Sequence, residues 1–215
     1  CQAFWMRCMR VSGIRRRNIV KGTGRKMEKH IYLIGFMGSG KSTVSRRLNR
    51  LMQVKELDMD AEIVRENNMT IKDMFEQFGE QYFRDKETEM LQKIADSSPV
   101  IVSCGGGTVL RRENVEIMKK SGVIVLLTAS PKTIYLRVRH SRNRPILNGH
   151  MNVEYIAGLQ EKRRELYEAA ADIVVATDGK KPEEICREIK KHVPDCSADF
   201  VRTERSVAVC ATREQ

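Results

Sequence analysis

Short apolar runs alternate with longer amphipathic segments along most of this chain. The runs at 31–34, 100–103 and 123–127 are apolar almost throughout, which is typical of strands that are buried on both faces of a sheet. Between them apolar residues recur at helical spacing, as at Val44 and Leu48. The alternation of the two patterns predicts a three-layer α/β/α fold around a parallel sheet.

Turn and start signals divide this pattern into elements. A second short strand is predicted to end near Asp58, and proline at a first helical turn predicts helices that begin at Pro131 and Pro182. The other predicted elements are helices at 43–52, 61–67, 70–96 and 111–120, a helix that ends at Ala171, and a last strand at 173–176. This order of strands and helices predicts ligand binding beyond the carboxyl ends of the strands.

The eight residues from Gly35 to Ser42 match the phosphate-binding pattern G-x4-G-K-[ST]. In such a loop glycines let backbone N–H groups turn toward phosphates, Lys41 reaches the β- and γ-phosphates, and Ser42 offers its hydroxyl to Mg²⁺. The preceding strand and the following helix are the context that this motif requires. The predicted nucleotide-binding residues of this segment are Gly38, Ser39, Gly40, Lys41, Ser42 and Thr43.

Two further groups follow predicted strands and should reach the same crevice. Asp58 and Asp60 come at the end of the second strand, and three consecutive glycines, Gly105–Gly107, follow the third. A structural role is an alternative for each group. Asp60 could be only the N-cap of a helix that starts at Ala61, and the glycines could form only a tight turn.

The positive charge is concentrated at the N-terminus. Eight of the 39 basic residues and none of the 28 acidic residues lie within residues 1–26, so the rest of the chain accounts for +3 of the net +11. We interpret residues 1–26 as a basic leader that is disordered or not native, with a biological start at Met27; a transit peptide and a basic arm for nucleic acid or anionic lipid are the alternatives. A domain at 27–193 and a poorly ordered tail at 194–215 complete the predicted organisation.

Cysteine spacing and hydropathy indicate the compartment. The six cysteines form no C-x-x-C pair and no cluster with histidine, which favours a reducing cytosol over a disulfide framework or a zinc site. No apolar run approaches the length of a membrane span. These features favour a cytoplasmic protein without a membrane partner. We also expect a monomer without a nucleic-acid partner.

Six motifs occur in series along the chain: Gly35-x4-Gly40-Lys41-Ser42, Asp58-Met59-Asp60, Gly79-Glu80-x-x-Phe83-Arg84-x-x-Glu87, Gly105-Gly106-Gly107, Arg144-Pro145-Ile146-Leu147 and Arg163-x-x-Leu166-Tyr167. In order and spacing they resemble the motifs of shikimate kinases. The resemblance covers residues 27–193. It implies a five-stranded parallel sheet of the nucleoside-monophosphate-kinase type, with a small substrate-binding helical region and a lid at about 140–152.

The resemblance also implies an activity and a set of roles. The enzyme would transfer the γ-phosphoryl group of ATP to the 3-hydroxyl of shikimate, on the route to chorismate and the aromatic amino acids. Arg84 and Arg163 would bind the carboxylate of shikimate, since arginine binds carboxylates bidentately. Asp60 would orient or deprotonate the attacking hydroxyl. The glycines that would contact shikimate are Gly105, Gly106 and Gly107.

The remaining implied roles concern the metal and the lid. Ser42 would bind Mg²⁺ directly and Asp58 through water, while Arg144 would reach the γ-phosphate and Arg139 would stack on adenine. Only residues 140–143 separate Arg139 from Arg144, a shorter segment than is usual in the family, and Glu165 replaces its usual proline.

Two other functions fit parts of this pattern. A kinase for another small polyol acid, such as gluconate, would share the phosphate loop but not the set of Arg84, Arg163 and three glycines. A non-catalytic module of the same fold would be expected to have lost some of the residues that act on phosphate, whereas Lys41, Asp60 and Arg144 are present. A basic nucleic-acid binder is disfavoured because the excess charge lies in the leader.

Overall fold

The computed structural model describes residues 27–139 and 152–193. The predicted leader, the predicted tail and all but the last residue of the predicted lid lie outside this range. The elements in chain order are β1 (His30–Ile34), α1 (Lys41–Met52), β2 (Glu56–Asp58), α2 (Met59–Asn67), α3 (Ile71–Ala95), β3 (Ile101–Ser103), a 3-10 turn (Thr108–Leu110), α4 (Arg112–Ser121), β4 (Gly122–Thr128), α5 (Pro131–Val138), α6 (Val153–Ala170), β5 (Ile173–Ala176) and α7 (Pro182–His192).

The five strands form one parallel sheet in the order β2-β3-β1-β4-β5. β1 is the central strand, and its Leu33 lies beside Ser103 of β3 and Val125 of β4. The predicted five-stranded parallel sheet is therefore confirmed. Because β3 lies between β1 and β2 and all three are parallel, the loops that follow these strands meet at one edge of the sheet.

Two apolar clusters cover the two faces of the sheet. Tyr32 and Ile34 of β1 pack into one cluster with α2, α3, α4 and α6, whereas Ile31 and Leu33 pack into the other with α1 and α7. All four side chains are fully buried. This double coverage explains the absence of alternation in the sequence, since side chains on both sides of the strand face a helical layer.

Helix α3 is interrupted at Gly79, within a segment that was predicted as one helix over 70–96. Gly79 has φ of 81° and ψ of 168°, values that lie outside the helical region. Glycine adopts this conformation without the steric cost that a side chain would add. The break reorients the second part of α3, which bears Arg84 and Glu87.

Among the described residues, no helix is both long and apolar enough to cross a membrane. The two cysteines of the described part, Cys104 and Cys186, are buried free thiols. Burial raises the pKa of each thiol, so both stay protonated and unreactive.

His30 is buried at the start of β1 and requires a neutral ring. Its Nδ1 accepts a hydrogen bond from the backbone N–H of Val100 at 3.2 Å, and its ring also bonds to the backbone of Ala95. Burial lowers the pKa of His30 below its usual value, and the bond to Ala95 opposes this only in part. A protonated Nδ1 could not accept the bond from Val100.

This geometry predicts that the contribution of His30 to stability is lost in mild acid. The free energy of unfolding contains a His30 contribution that is complete above about pH 7 and declines as pH falls below the ordinary histidine pKa of about 6.5, because the unfolded chain takes up the proton first. Urea titrations at pH 7.5 and 5.0 measure this dependence. His30→Gln should be less stable at pH 7.5 but lose less between the two values, whereas His192→Gln, at an exposed residue, should behave as the parent. Equal losses in the parent and in His30→Gln would contradict the prediction.

Candidate active site

The glycine loop between β1 and α1 forms an anion-binding site. Gly38 and Gly40 have φ of 78° and 103°, and Gly40 is the N-cap of α1. Such left-handed glycines let successive N–H groups point to one side, at the positive end of the helix dipole. The Nζ of Lys41 donates to the carbonyl oxygens of Gly35 and Phe36 at 2.8 and 3.2 Å, which holds the ammonium group over the loop. A cavity of about 570 Å³ opens beside it.

Ser42 and Asp58 meet at the floor of this cavity. The Ser42 hydroxyl donates to Oδ2 of Asp58 at 3.1 Å, and Oδ1 of Asp58 accepts from the N–H of Ala61 at 3.3 Å. Asp58 is therefore the N-cap of α2, which begins at Met59. The alternative that Asp60 only caps a helix from Ala61 is wrong, since Asp60 lies within the first turn.

The oxygens of Ser42 and Asp58 suit Mg²⁺. Within the described residues no three acidic, histidine or cysteine side chains come together as a metal-binding group. Mg²⁺ bound to a nucleotide needs no such group, because it keeps several waters and takes other ligands from the phosphates. A hydroxyl and a carboxylate 3.1 Å apart beside a phosphate loop fit that kind of site.

Asp60 presents an unsatisfied oxygen close to the glycines. Its Oδ1 is buried and has no hydrogen-bond partner among the described residues. A Cβ on Gly105 would lie 2.7 Å from this atom and 2.8 Å from Oε1 of Glu87, so only glycine fits between the two carboxylates. Burial, together with the charges of Glu87 and Asp58, raises the pKa of Asp60 to about 6, which leaves it mostly ionised at neutral pH.

Arg84 is held by a carboxylate that is completely buried. Its Nη1 donates to Oε2 of Glu87 at 2.6 Å, while Oε1 of Glu87 accepts from the hydroxyl of Thr108 at 2.8 Å. Glu80 binds the other side of the guanidinium at 2.6 Å. The side chain of Arg84 is only 14% exposed, so it does not lie on a solvated helix face. A Cβ on Gly107 would overlap with the guanidinium.

Helix α6 brings Arg163 and Tyr167 to the same glycines. Nη1 of Arg163 lies 3.4 Å from the carbonyl oxygen of Gly106, and the Tyr167 hydroxyl donates to that oxygen at 2.5 Å. Residues four apart share one face of a helix, which explains why both reach the same peptide. The structure thus brings Asp60, Arg84, Arg163 and the glycine turn together.

A buried polar network supports this turn, and the sequence interpretation did not include it. Asn114 of α4 is fully buried; its Nδ2 donates to the carbonyl of Thr108 at 3.0 Å and its Oδ1 accepts from the Thr88 hydroxyl at 2.7 Å. Thr88 follows Glu87 on α3, so the network joins two helices to the 3-10 turn after Gly107. A lone asparagine among charged residues offered no signal of this role in the sequence.

Arg137 is a second residue that the sequence interpretation missed. Its Nη1 donates to the carbonyls of Gly38 and Ser39, both at 3.2 Å, and to the Thr177 hydroxyl at 3.0 Å. Arg137 and Thr177 line the cavity, whereas Arg139 is exposed at the end of α5 and does not. Helical spacing from the buried Ile134 could have indicated Arg137.

Arg144 and the rest of the predicted lid up to residue 151 lie outside the described residues, so their predicted placement is not tested. The six predicted nucleotide-binding residues of the phosphate loop, including Ser39 and Thr43, line the cavity.

Comparison with known proteins gives the family. A family model for shikimate kinase matches residues 37–194. The chain belongs to the shikimate kinase family. It is 41% identical over 161 residues to a shikimate kinase of Persephonella marina, an alignment that covers 75% of this chain and 96% of that relative. The family assignment made from the six motifs is confirmed.

Solved structures agree with the family assignment. Shikimate kinase from Acinetobacter baumannii, in complex with shikimate, superposes with a TM-score of 0.73 at 31% identity, covering 77% of this chain and 93% of that one. A gluconokinase from Sinorhizobium meliloti superposes with a TM-score of 0.53 at 22% identity, covering 76% and 90%. The second likeness shows that the fold is shared, and nothing further.

The network around Asn114 predicts a large loss of stability on truncation. Asn114→Ala should lower the free energy of unfolding by about 2–4 kcal/mol, because its two buried hydrogen bonds, to the Thr88 hydroxyl and the Thr108 carbonyl, would be lost and a cavity would replace the amide. Asn49→Ala is the matched control. Asn49 is half-buried and donates one bond, to the Val54 carbonyl, so its loss should cost about 1 kcal/mol. Urea unfolding measures both; similar losses would show that the network is not important.

Proposed function

We propose that this protein transfers the γ-phosphoryl group of ATP to the 3-hydroxyl of shikimate and so serves aromatic amino acid biosynthesis. The observation that best supports this activity is that phosphate-binding and carboxylate-binding groups lie side by side. A phosphate-binding loop, the carboxylate of Asp60 and two arginines surround a glycine turn, at the edge of the sheet where three strands end. Phosphoryl transfer needs positioning and charge stabilisation more than covalent chemistry, and this arrangement supplies both.

The acceptor end of the site suits a small carboxylic acid with several hydroxyls. Arg84 is oriented by Glu87, and Arg163 approaches the same turn from α6. Two planar guanidinium groups beside the turn can bind one carboxylate, and the backbone N–H groups of Gly106 and Gly107 would add donors there. Gluconate is a flexible chain and would gain less from this rigid set.

The nucleotide end of the site suits a triphosphate. The loop amides and Lys41 would hold the β- and γ-phosphates, and Ser42 and Asp58 would hold Mg²⁺, which neutralises charge on the phosphates when bound. Arg137 already bonds to the loop carbonyls, so it would border the nucleotide as well. Asp60, which lines the same cavity, would orient the acceptor hydroxyl and accept its proton.

Several finer assignments stay proposals. Arg144 would reach the γ-phosphate from a lid at about 140–152, and Arg139 would contact adenine; both follow from the family resemblance. We also propose the organisation into a leader at 1–26, a domain at 27–193 and a tail at 194–215. A monomeric state, a cytoplasmic location and the absence of nucleic-acid and membrane partners are proposals as well.

An ADP-release assay with Mg·ATP tests the substrate directly. Shikimate, quinate and gluconate are compared as acceptors at equal concentration. We expect turnover with shikimate to exceed that with gluconate by at least about a hundredfold, since a site built to pair with a carboxylate and hydroxyls discriminates strongly. Turnover with gluconate and none with shikimate would overturn the acceptor while leaving a kinase.

The two neighbouring aspartates should have separable effects. Asp60→Asn should reduce turnover by about a hundredfold or more, the usual scale for a positioned acid–base group, while ATP binding without acceptor is retained. Asp58→Asn should instead raise the Mg²⁺ concentration needed for half-maximal rate and leave the KM for shikimate within about threefold. Steady-state kinetics at varied Mg²⁺ distinguish them. Turnover of Asp60→Asn within about threefold of the parent would show that another group orients the hydroxyl.

A further inference from the structure

The carbonyl oxygen of Gly106 is anchored by side chains of α6 and not by the backbone. In the two backbone hydrogen bonds of the turn, the carbonyl of Gly105 accepts from the N–H of Thr108 and the carbonyl of Gly107 accepts from the N–H of Leu110. The Gly106 oxygen instead accepts from the Tyr167 hydroxyl at 2.5 Å, with Arg163 at 3.4 Å. Of these two donors Tyr167 is by far the closer.

Steric contacts alone do not fix this peptide. A Cβ on Gly106 would find its nearest atoms at 3.8 to 4.0 Å, so the residue is not tightly enclosed. Glycine moreover tolerates backbone conformations that other residues avoid. The orientation of the peptide between Gly106 and Gly107 therefore depends on what its carbonyl binds.

The orientation of the carbonyl decides where the neighbouring donor points. In a planar trans peptide the C=O of Gly106 and the N–H of Gly107 point in opposite directions. When Tyr167 holds the oxygen toward α6, the N–H turns away from α6. Gly107 itself lies against the guanidinium of Arg84, so this N–H and Arg84 border the same part of the site.

Tyr167 is well placed to act as a fixed donor. Its ring is 5% exposed and packs in the apolar cluster with Leu126 and Ala170, which leaves the hydroxyl little freedom. Burial raises the pKa of Tyr167, against the opposing effect of Arg163, so the hydroxyl keeps its proton at every pH at which the protein would act.

We propose that Tyr167 is a positioning residue for the acceptor's carboxylate: its hydroxyl, by holding the Gly106 carbonyl toward α6, aims the Gly107 N–H at the anion that Arg84 binds. The inference rests on the proposed function for the identity of that anion. Tyr167 itself does not contact the acceptor; it acts through the peptide.

Tyr167→Phe tests this, because it keeps the ring and removes only the hydroxyl. The KM for shikimate should rise about three- to tenfold, the effect of one hydrogen bond, while the KM for ATP stays within about twofold. Tyr32→Phe is the matched control: Tyr32 is buried in the same cluster, and its hydroxyl bonds to Ser121 at 2.8 Å, away from the turn. It should lower the melting temperature without changing either KM.

A neutral acceptor distinguishes a positioning role of the Tyr167 hydroxyl from a merely structural one, because only a positioning role depends on the carboxylate. With shikimate methyl ester, whose neutral carbonyl accepts a weaker hydrogen bond than a carboxylate, the KM values of parent and Tyr167→Phe should differ by less than about twofold. An equal rise for acid and ester, or no rise for either, would overturn the proposal. A rise in the KM for shikimate with Tyr32→Phe would also overturn it, since the loss of any buried hydroxyl would then weaken shikimate binding.

The proposed function is judged separately, by whether the parent phosphorylates shikimate at all. If the parent prefers another carboxylic acid, that acid and its ester replace shikimate in the comparison. The test of Tyr167 then proceeds unchanged.

Discussion

The buried carboxylate of Glu87 is the constraint on which the acceptor half of the site depends. It has no exposure to water, yet it binds Arg84 with one oxygen and Thr108 with the other. A buried charge is costly unless it is paired and hydrogen-bonded, so moving either Arg84 or Thr108 away from Glu87 would be unfavourable, and both positions are fixed. The same charge lies across Gly105 from Asp60 and helps raise the pKa of that carboxyl.

The sheet and its loops make this local arrangement a shared site. β1, β2 and β3 are adjacent and parallel, so the phosphate loop, Asp58 and the glycine turn emerge at one edge. α3 and α6 then approach the turn from two sides, and their arginines and tyrosine converge on three glycines. Lack of side chains at Gly105 and Gly107 is what lets Asp60, Glu87 and Arg84 come so close to the backbone.

Both ends of the site are stabilised by contacts between a side chain and a backbone carbonyl. Arg137 binds the carbonyls of the phosphate loop, Asn114 that of Thr108, and Tyr167 that of Gly106. Loops lack the repeating hydrogen bonds of helices and strands, so their buried carbonyls need such partners. These residues come from α4, α5 and α6, which links the geometry of the site to the packing of the helical layers.

The sequence by itself determined the fold class, the order of strands and helices along the chain and the position of the phosphate loop, because local patterns encode them. Apolar runs identify strands, and the fixed spacing Gly40-Lys41-Ser42 identifies a phosphate loop. Local signals left open where α2 begins and that α3 breaks at Gly79, and the structure settled both. Tertiary structure alone decided that Asn114, Arg137 and Tyr167 hold the loops. Those roles depend on contacts between residues far apart in the chain, such as Arg137 with Gly38 and Tyr167 with Gly106, and no local spacing specifies such contacts.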